Sequence, residues 1–562
     1  MPETKPKITA HIRNFVEQRG WFMLLMLAVS ALIPIGFVLY TNQVWEDFFI
    51  TYRHSENLVR GFGPVYSPGE RVHGFTSALN TMLPALFAWL TQAEDFRTPL
   101  FLYRVVSWGG LVLALVATSG VVRDGLEPGK LRWRLAAFFP LIAVLEIKTT
   151  AFAMNGQETG LLLGFLVPAF VIAFRGWPKG SSLVGGICFA GLMYTRPDGF
   201  VYALAIVIGA FAFCSQPRVQ FLHSVFRSIV IGIGLYLPWM IFTQGYYGAI
   251  VPHTVIAKSG TEYYPNPGFD LLAPVVAGFA KLPERMCGAL AAIYDFQRFE
   301  PGSWPAWIRD AALLLELAAV TYWIIPTRDR LGRLASLVSL FILCYLTYAS
   351  LIAYSCPWYY PPLSFFSILA LLRMSVTLPG HLAKWGPAFL APLLVAALLG
   401  FFSFIFAYSL PALRLKQEVV DWGHRRVLGL WLREHVADRE AVYLEPLGYI
   451  GYFSQRKMLD WPGLVSPEVV RARRKIGRIS YPWGSYLWAK VAEELKPEWI
   501  VARPTEVEQM KASARLTRDY QLVKVFNAAE KIIAAGEFYG CSITYSDAVF
   551  LIYRRRPEAA RD

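Results

Sequence analysis

The chain has 562 residues, of which 55% are hydrophobic and only 17% are Asp, Glu, Lys or Arg, against roughly 25% charged in ordinary globular chains. With a mean hydropathy of +0.40 and 18 Trp, 28 Tyr and 39 Phe, this argues against a soluble protein, excludes a disordered chain or a disulfide scaffold, and implies lipid contact. The formal charge of +14 fits cytoplasmic loops and lipid headgroups, where a polytopic chain collects Lys and Arg, so no nucleic-acid partner is expected.

A tail bearing Lys5, Lys7, Arg13 and Arg19 precedes the first apolar run, Trp21 to Thr41. That run is too long for a cleavable signal and has no small-residue cleavage site behind it, so it predicts a signal anchor with its N-terminus inside. Residues 42–98 then form a first outer loop. Within it, Thr76 to Thr91 is short and interrupted by Asn80 and Pro84, which predicts a juxtamembrane or re-entrant helix. Further spans are expected near 100–121, 134–153, 158–175, 180–195, 199–214, 225–245, 307–326, 334–354, 360–376 and 387–409, about eleven transmembrane helices with the first. With 76–91 left out of the count, every inside loop holds a base: Arg123, Lys130, Arg132 and Arg134; Arg175 and Lys179; Arg218 and Arg227; Arg328, Arg330 and Arg333; Lys384. The positive-inside rule asks for that arrangement.

The outer side then receives 42–98, the turns Asn155 to Glu158 and Arg196 to Gly199, the long loop 246–306, Ser355 to Pro362, and everything from 410 onward. Residues 1–409 are expected to form a membrane module and 410–562 a soluble extracytoplasmic α/β or α+β domain, with short apolar runs at Ala441 to Leu444 and Trp499 to Val501. Its 25 Lys and Arg against 19 Asp and Glu suit anionic headgroups or a phosphorylated lipid, or simply a solvated basic surface. The six cysteines carry no CxxC spacing, and the four in or beside apolar runs read as buried thiols. No period of 20–50 residues and no matching pair of interrupted helices points to a secondary transporter.

Polar residues on the outer side form several constellations. Glu46 and Asp47 open the first loop in Trp45-Glu46-Asp47-Phe48-Phe49-Ile50-Thr51-Tyr52-Arg53. They read as a solvated helix end, as a base, or, with Glu158, as hard oxygen ligands for Mg²⁺ or Ca²⁺. The stretch Arg60 to Ser77 is rich in turn formers. Arg196 and Asp198 flank Pro197, and Tyr247, His253 and Lys258 lie between Tyr246 and Ser259. Arg196 ends an apolar helix on the side where bases are scarce, so a fixed anion such as a lipid phosphate is expected beside it. Trp358, Tyr359 and Tyr360 suit an interface belt or stacking on a sugar.

Four of these segments in order, Glu46 to Ser77, Asn155 to Leu161, Thr195 to Gly199 and Tyr246 to Lys258, resemble the motifs of GT-C polyprenyl-phosphate-sugar glycosyltransferases. Within that class the chain is most similar to the mycobacterial terminal arabinofuranosyltransferase (AftB) family, a likeness extended by Tyr443 to Tyr452. It departs from the family pattern in having Glu46 as the first acid of the first loop and Asp198 after Arg196-Pro197.

The resemblance implies transfer of a sugar, arabinofuranose first, from a polyprenyl-phosphate donor to an extracytoplasmic glycan or lipid-linked acceptor in a bacterial cytoplasmic membrane. A held phosphate leaves readily, whereas the acceptor hydroxyl needs a base. Asp47 is expected to be that base, with Glu46 beside it. Arg53, Glu158, Arg196, Asp198, Tyr247, His253 and Lys258 make up the expected donor set, and Trp358 and Tyr359 the acceptor contacts. A hexose transferase acting on protein or lipopolysaccharide and a lipid-linked sugar flippase remain as alternatives.

Overall fold

The computed structural model describes residues 20–123, 126, 131–178, 180–213, 217–258, 272–293, 303–352, 356–381, 389–476, 487–536, 538–540 and 542–557. The basic N-terminal tail, Lys130, Lys179, Lys384, Ser355 and, within the expected loop 246–306, residues 259–271 and 294–302 lie outside them. The membrane module runs α1 (Trp21–Thr41), α2 (Glu46–Val59), α3 (Ala78–Thr91), α4 (Arg97–Val122), α5 (Phe139–Leu145), α6 (Ile147–Met154), α7 (Thr159–Phe174), α8 (Ser182–Thr195), α9 (Gly199–Ala212) and α10 (Arg218–Tyr247). It continues through α11 (His253–Lys258), α12 (Leu272–Leu290), α13 (Ala306–Thr321), α14 (Arg330–Ile352), α15 (Pro361–His381) and α16 (Leu390–Leu415).

A helix stands at each of the eleven expected spans, yet among the described residues six are long and apolar enough to cross a membrane unaided, or seven if one bent pair counts as a span. The bent pair is α5 and α6, which meet at 56°. Glu146 makes the break: its carboxylate accepts the Thr149 N–H at 2.7 Å and caps α6, while its other oxygen pairs with Lys148 Nζ at 2.6 Å. Two charges inside a membrane module are tolerable only when paired in this way. Helices α7, α8 and α9 have 16, 14 and 14 residues. At 1.5 Å per residue they fall short of a hydrocarbon core of roughly 30 Å, and the polar turns before α7 and between α8 and α9 are recessed into the bundle, with Asn155, Gln157, Glu158 and Arg196 buried. At the opposite end Arg373 pairs with Asp329 at 2.6 Å, and Arg330 and Arg333 lie over Phe174 and Phe213. The inner basic residues therefore gather away from the outer turns.

The boundary expected at residue 410 falls inside continuous helix. α16 passes through a π-helical segment, Lys416–Arg425, into α17 (Arg426–His435) without a break. Beyond it come β1 (Ala441–Leu444), α18 (Leu447–Ser454), β2 (Lys457–Asp460), α19 (Pro467–Ile476), α20 (Leu487–Leu495), β3 (Trp499–Ala502), α21 (Pro504–Lys511), β4 (Tyr520–Asn527) and β5 (Val549–Arg555). The sheet order is β2-β1-β3-β5-β4. β1 is parallel to both β2 and β3, whereas β5 is antiparallel to β3 and β4. β3, buried throughout, and β1, buried after Ala441, take Val442, Leu444, Ile500 and Val501 into the cores on the two faces, as parallel strands covered on both sides require.

Candidate functional site

Helix α2 lies between the outer end of the bundle and the C-terminal domain. Glu46 and Asp47 occupy its first turn, where the helix dipole favours anions. Its start is fixed from the bundle side by the Trp45 N–H donating to the Asn155 carbonyl at 2.8 Å. The turn carrying that carbonyl needs Gly156, whose φ is +96° and whose Cβ, were there one, would sit 2.7 Å from the Phe48 ring.

Glu158, Arg196, Asp198, Lys258 and Tyr359 come together as a single cluster. Arg196 donates to both Asp198 oxygens, at 2.9 and 3.2 Å, and to Glu158 at 2.9 Å. The fixed anions beside Arg196 in this structure are thus two carboxylates, where a lipid phosphate was the example expected. These bonds use three of the five guanidinium donors. The Tyr345 hydroxyl donates to Asp198 at 2.6 Å. Against the cost of burial, Arg196 and that hydroxyl hold Asp198 below the usual carboxylate range. It stays an anion and is no base. The Tyr359 ring underlies Arg196 at 4.5 Å, and its hydroxyl accepts from Lys258 Nζ at 3.2 Å.

Asp47 faces this cluster from α2. Burial pushes its carboxyl up to about 7 against the pull of Lys258, and the charges of Glu46 and Glu158 add to the rise. Among the described residues no hydrogen bond or ion pair engages its side chain. A carboxyl of this kind can take a proton at neutral pH, as a positioned general base must.

Arg196, Asp198, Lys258, Tyr345 and Tyr359 form the polar head of a cavity of about 820 Å³ whose other walls are mostly apolar. Phe200, Leu204, Ile229 and Ile233 line it and are also exposed, at 58, 53, 40 and 59%, on the flank of the bundle. α9 and α10 both pack on α8 yet barely touch each other. The cavity therefore opens sideways, where lipid would lie, and is charged at its outer end.

Other expected site residues stand elsewhere. Arg53 was expected in the donor set; instead it donates to the carbonyls of Gly451, at 2.7 Å, and Arg456, at 3.1 Å, beneath the Tyr66 ring. Its guanidinium is buried and serves to hold α2 on the C-terminal domain. Glu46 accepts from Arg425 at 2.7 Å and from the Gly448 N–H at 3.0 Å. Tyr247 donates to the Pro64 carbonyl at 2.7 Å and stacks on His73. The backbone of His253 bonds to His73, and its ring lies near Gly463 and Asp460, with burial pulling it below the ordinary histidine value. Trp358 packs against Trp45 and Phe152.

Glu46 is turned to Arg425, Glu158 is bound by Arg196, and among the described residues no three acidic, histidine or cysteine side chains converge. Sequence reasoning missed Tyr345, which sits 147 positions from Asp198 inside an apolar run with no local signal. It also missed Cys356, whose buried thiol lies within electrostatic range of Lys258 and Asp47.

A family model described only as a domain of unknown function (DUF8728) matches residues 413–553. The terminal β-(1→2)-arabinofuranosyltransferase of Mycobacterium tuberculosis is 30% identical over 228 residues, 38% of this chain and 34% of that protein. Its counterpart of the same name in Corynebacterium glutamicum is 26% identical over 249 residues, 40% and 34% of the two chains. The chain thus spans about a third of the length of the curated relatives it matches. Among solved structures, the Archaeoglobus fulgidus oligosaccharyltransferase tethered to an acceptor peptide superposes with a TM-score of 0.54 at 13% identity, covering 94% of this chain and 74% of that one. Apo ArnT from Cupriavidus metallidurans gives 0.50 at 11%, covering 94% and 97%. The protein is a multi-pass membrane protein with the GT-C fold, similar in sequence to the terminal arabinofuranosyltransferases.

Proposed function

We propose that this GT-C membrane protein is a glycosyltransferase that moves a sugar, arabinofuranose first, from a polyprenyl-phosphate donor to an extracytoplasmic glycan acceptor. The observation that carries the reading is the joining of a laterally open apolar cavity to a head bearing Arg196 and Lys258, beside a carboxyl poised near neutrality. A polyprenyl chain suits the cavity, and its phosphate suits Lys258 and the remaining N–H donors of Arg196. The relatives named for arabinofuranose transfer support the pentose over a hexose.

Asp47 takes the proton of the acceptor hydroxyl as that oxygen attacks the anomeric carbon. The bond from that carbon to the phosphate oxygen breaks, and its electron pair leaves with the polyprenyl phosphate. Lys258 and Arg196 stabilise the charge that grows there, so no separate acid is needed. One displacement at one carbon inverts its configuration. Trp358 and Tyr359 offer aromatic surface on which the acceptor can stack.

Purified protein in lipid nanodiscs, given a panel of polyprenyl-phosphate pentoses and hexoses with a glycan acceptor, should release polyprenyl phosphate from the arabinofuranose donor. Release from a hexose donor alone would change the sugar. No release from any donor, with labelled lipid-linked sugar crossing proteoliposome membranes, would replace transfer by transport.

A further inference from the structure

In the C-terminal domain β1 leads to β2 on one side, and the chain then returns to lay β3 on the other side of β1. The connections diverge between the carboxyl ends of β1 and β3, and there an open α/β sheet takes its ligand. Glu445 follows β1, Arg503 follows β3, and the first N–H groups of α18 point into the same crevice. What lies at this place is Glu46 of α2. One of its oxygens accepts from the Gly448 N–H at 3.0 Å and the other from Arg425 at 2.7 Å. A Cβ on Gly448 would come within 2.3 Å of both the Glu46 side chain and its backbone oxygen, so only glycine admits the carboxylate.

The charge of Glu46 is tied into a buried network. Arg425 also bonds to Asp421 at 3.0 Å and to Asp547. Arg503 links Asp547, at 2.5 Å, to Glu506, at 3.2 Å, and to Glu445. Helix α18 supplies further grip: Tyr449 and Tyr452 pack on Phe49 with centroids 4.5 and 5.0 Å away, and the Gly451 carbonyl takes Arg53. Acid, aromatic and base, spaced i, i+3 and i+7 on one face of α2, are thus held by one short helix of the domain.

We propose that the domain at residues 413–553 is a clamp for the acidic helix, taking Glu46 as an internal ligand in its sheet crevice and thereby fixing the direction of Asp47. Glu46 and Arg425 are then positioning residues, and the adjacent acids have separate tasks: one is held, the other reacts. This rests on Asp47 being the base. The clamp itself does not, because it concerns how α2 is seated.

Hydrogen exchange and kinetics on the full chain in nanodiscs separate the two. In Glu46→Gln and Arg425→Lys, amides of residues 46–53 and 447–454 should exchange about tenfold faster, with α14 and α15 unchanged. The rate constant kcat should fall on the order of 10- to 100-fold, as for a misplaced catalytic group, while donor KM stays within about twofold. Glu46→Gln should also move the acid limb of the kcat profile to lower pH, because a negative charge beside Asp47 is removed. Glu46→Gln preserves size and an acceptor for Gly448, so it tests the clamp even if Arg425→Lys does not fold. Unchanged exchange in Glu46→Gln would overturn the clamp whatever the activity. If exchange quickens and Asp47→Asn remains active, the clamp stands and the assignment of the base falls.

Discussion

Arg196 lies 4.5 Å from the centroid of the Tyr359 ring, and the hydroxyl of that same ring accepts from Lys258. One aromatic side chain thus spaces the two cations, which would otherwise repel one another in a buried setting. The geometry gives Tyr359 two separable duties. Its ring face steadies Arg196, and its oxygen orients Lys258.

Tyr359→Phe should keep the first duty and lose the second. A hydrogen bond to a charged group contributes about 1.5–3 kcal/mol, so donor KM should rise on the order of tenfold with the fold intact. Tyr359→Ala loses the ring as well and should cost more, by the roughly 0.5–2 kcal/mol of a cation–π contact. Equal effects of the two changes, measured by donor titration, would show that the ring face contributes nothing.

Arg196 should be irreplaceable by lysine. An ammonium cannot reproduce the paired bonds to Asp198 while also reaching Glu158. Arg196→Lys should therefore raise donor KM by at least about tenfold and lower thermal stability, since breaking a buried pair leaves a carboxylate uncompensated. Asp198→Asn should produce the same pair of changes, and the double variant should lose less than the sum. Additive losses would mean that the two residues act apart.

Much of the architecture was legible in the sequence because long apolar runs leave few options. Trp21–Thr41 matches the expected first span residue for residue, and the stretch set aside on account of Asn80 and Pro84 forms a 14-residue helix, Ala78–Thr91, as short as α8 and α9. The break at Glu146 was not legible, because its cause is a side chain folding back on its own backbone inside an apolar stretch. The site divides in the same way. Arg196 was visible as a base at the outer end of an apolar helix, with Asp198 two residues on, and Lys258 as the last residue of the Tyr246 to Lys258 segment. The duties of Glu46 and Arg53 were not, since their partners Gly448 and Gly451 lie 402 and 398 positions away in a domain whose sequence gives no hint of what it faces.

The C-terminal domain should lie on the extracytoplasmic side. The outer turns, α2 and the domain meet at one end of the bundle, while Arg330, Arg333 and Arg373 gather at the other, and positive residues mark the cytoplasmic face. Alkaline phosphatase fused after Asp562 should be active, and a fluorescent reporter that matures only in the cytoplasm should be dark there. The reverse pattern would invert the orientation and place the cavity head inside.

Asp47 ties pH, activity and stability together. Its carboxyl, raised to about 7 by burial, must be ionised to accept a proton, so kcat should climb with pH and level off above about 7.5. Asp47→Asn should lose on the order of 10²- to 10⁴-fold in kcat, the usual contribution of a general base, with donor affinity nearly unchanged. Stability should move the other way. A carboxyl whose folded value lies above the unfolded value of about 3.9 binds more protons when folded, so the native state weakens as pH rises from about 4 to 7. At pH 8 the buried charge costs up to about 4 kcal/mol, and Asp47→Asn, which carries none, should melt a few degrees higher than the parent. At pH 4 the two should melt together. A variant that loses activity and also melts lower at pH 8 would show that Asp47 is held for structure and that the proton is taken by another group.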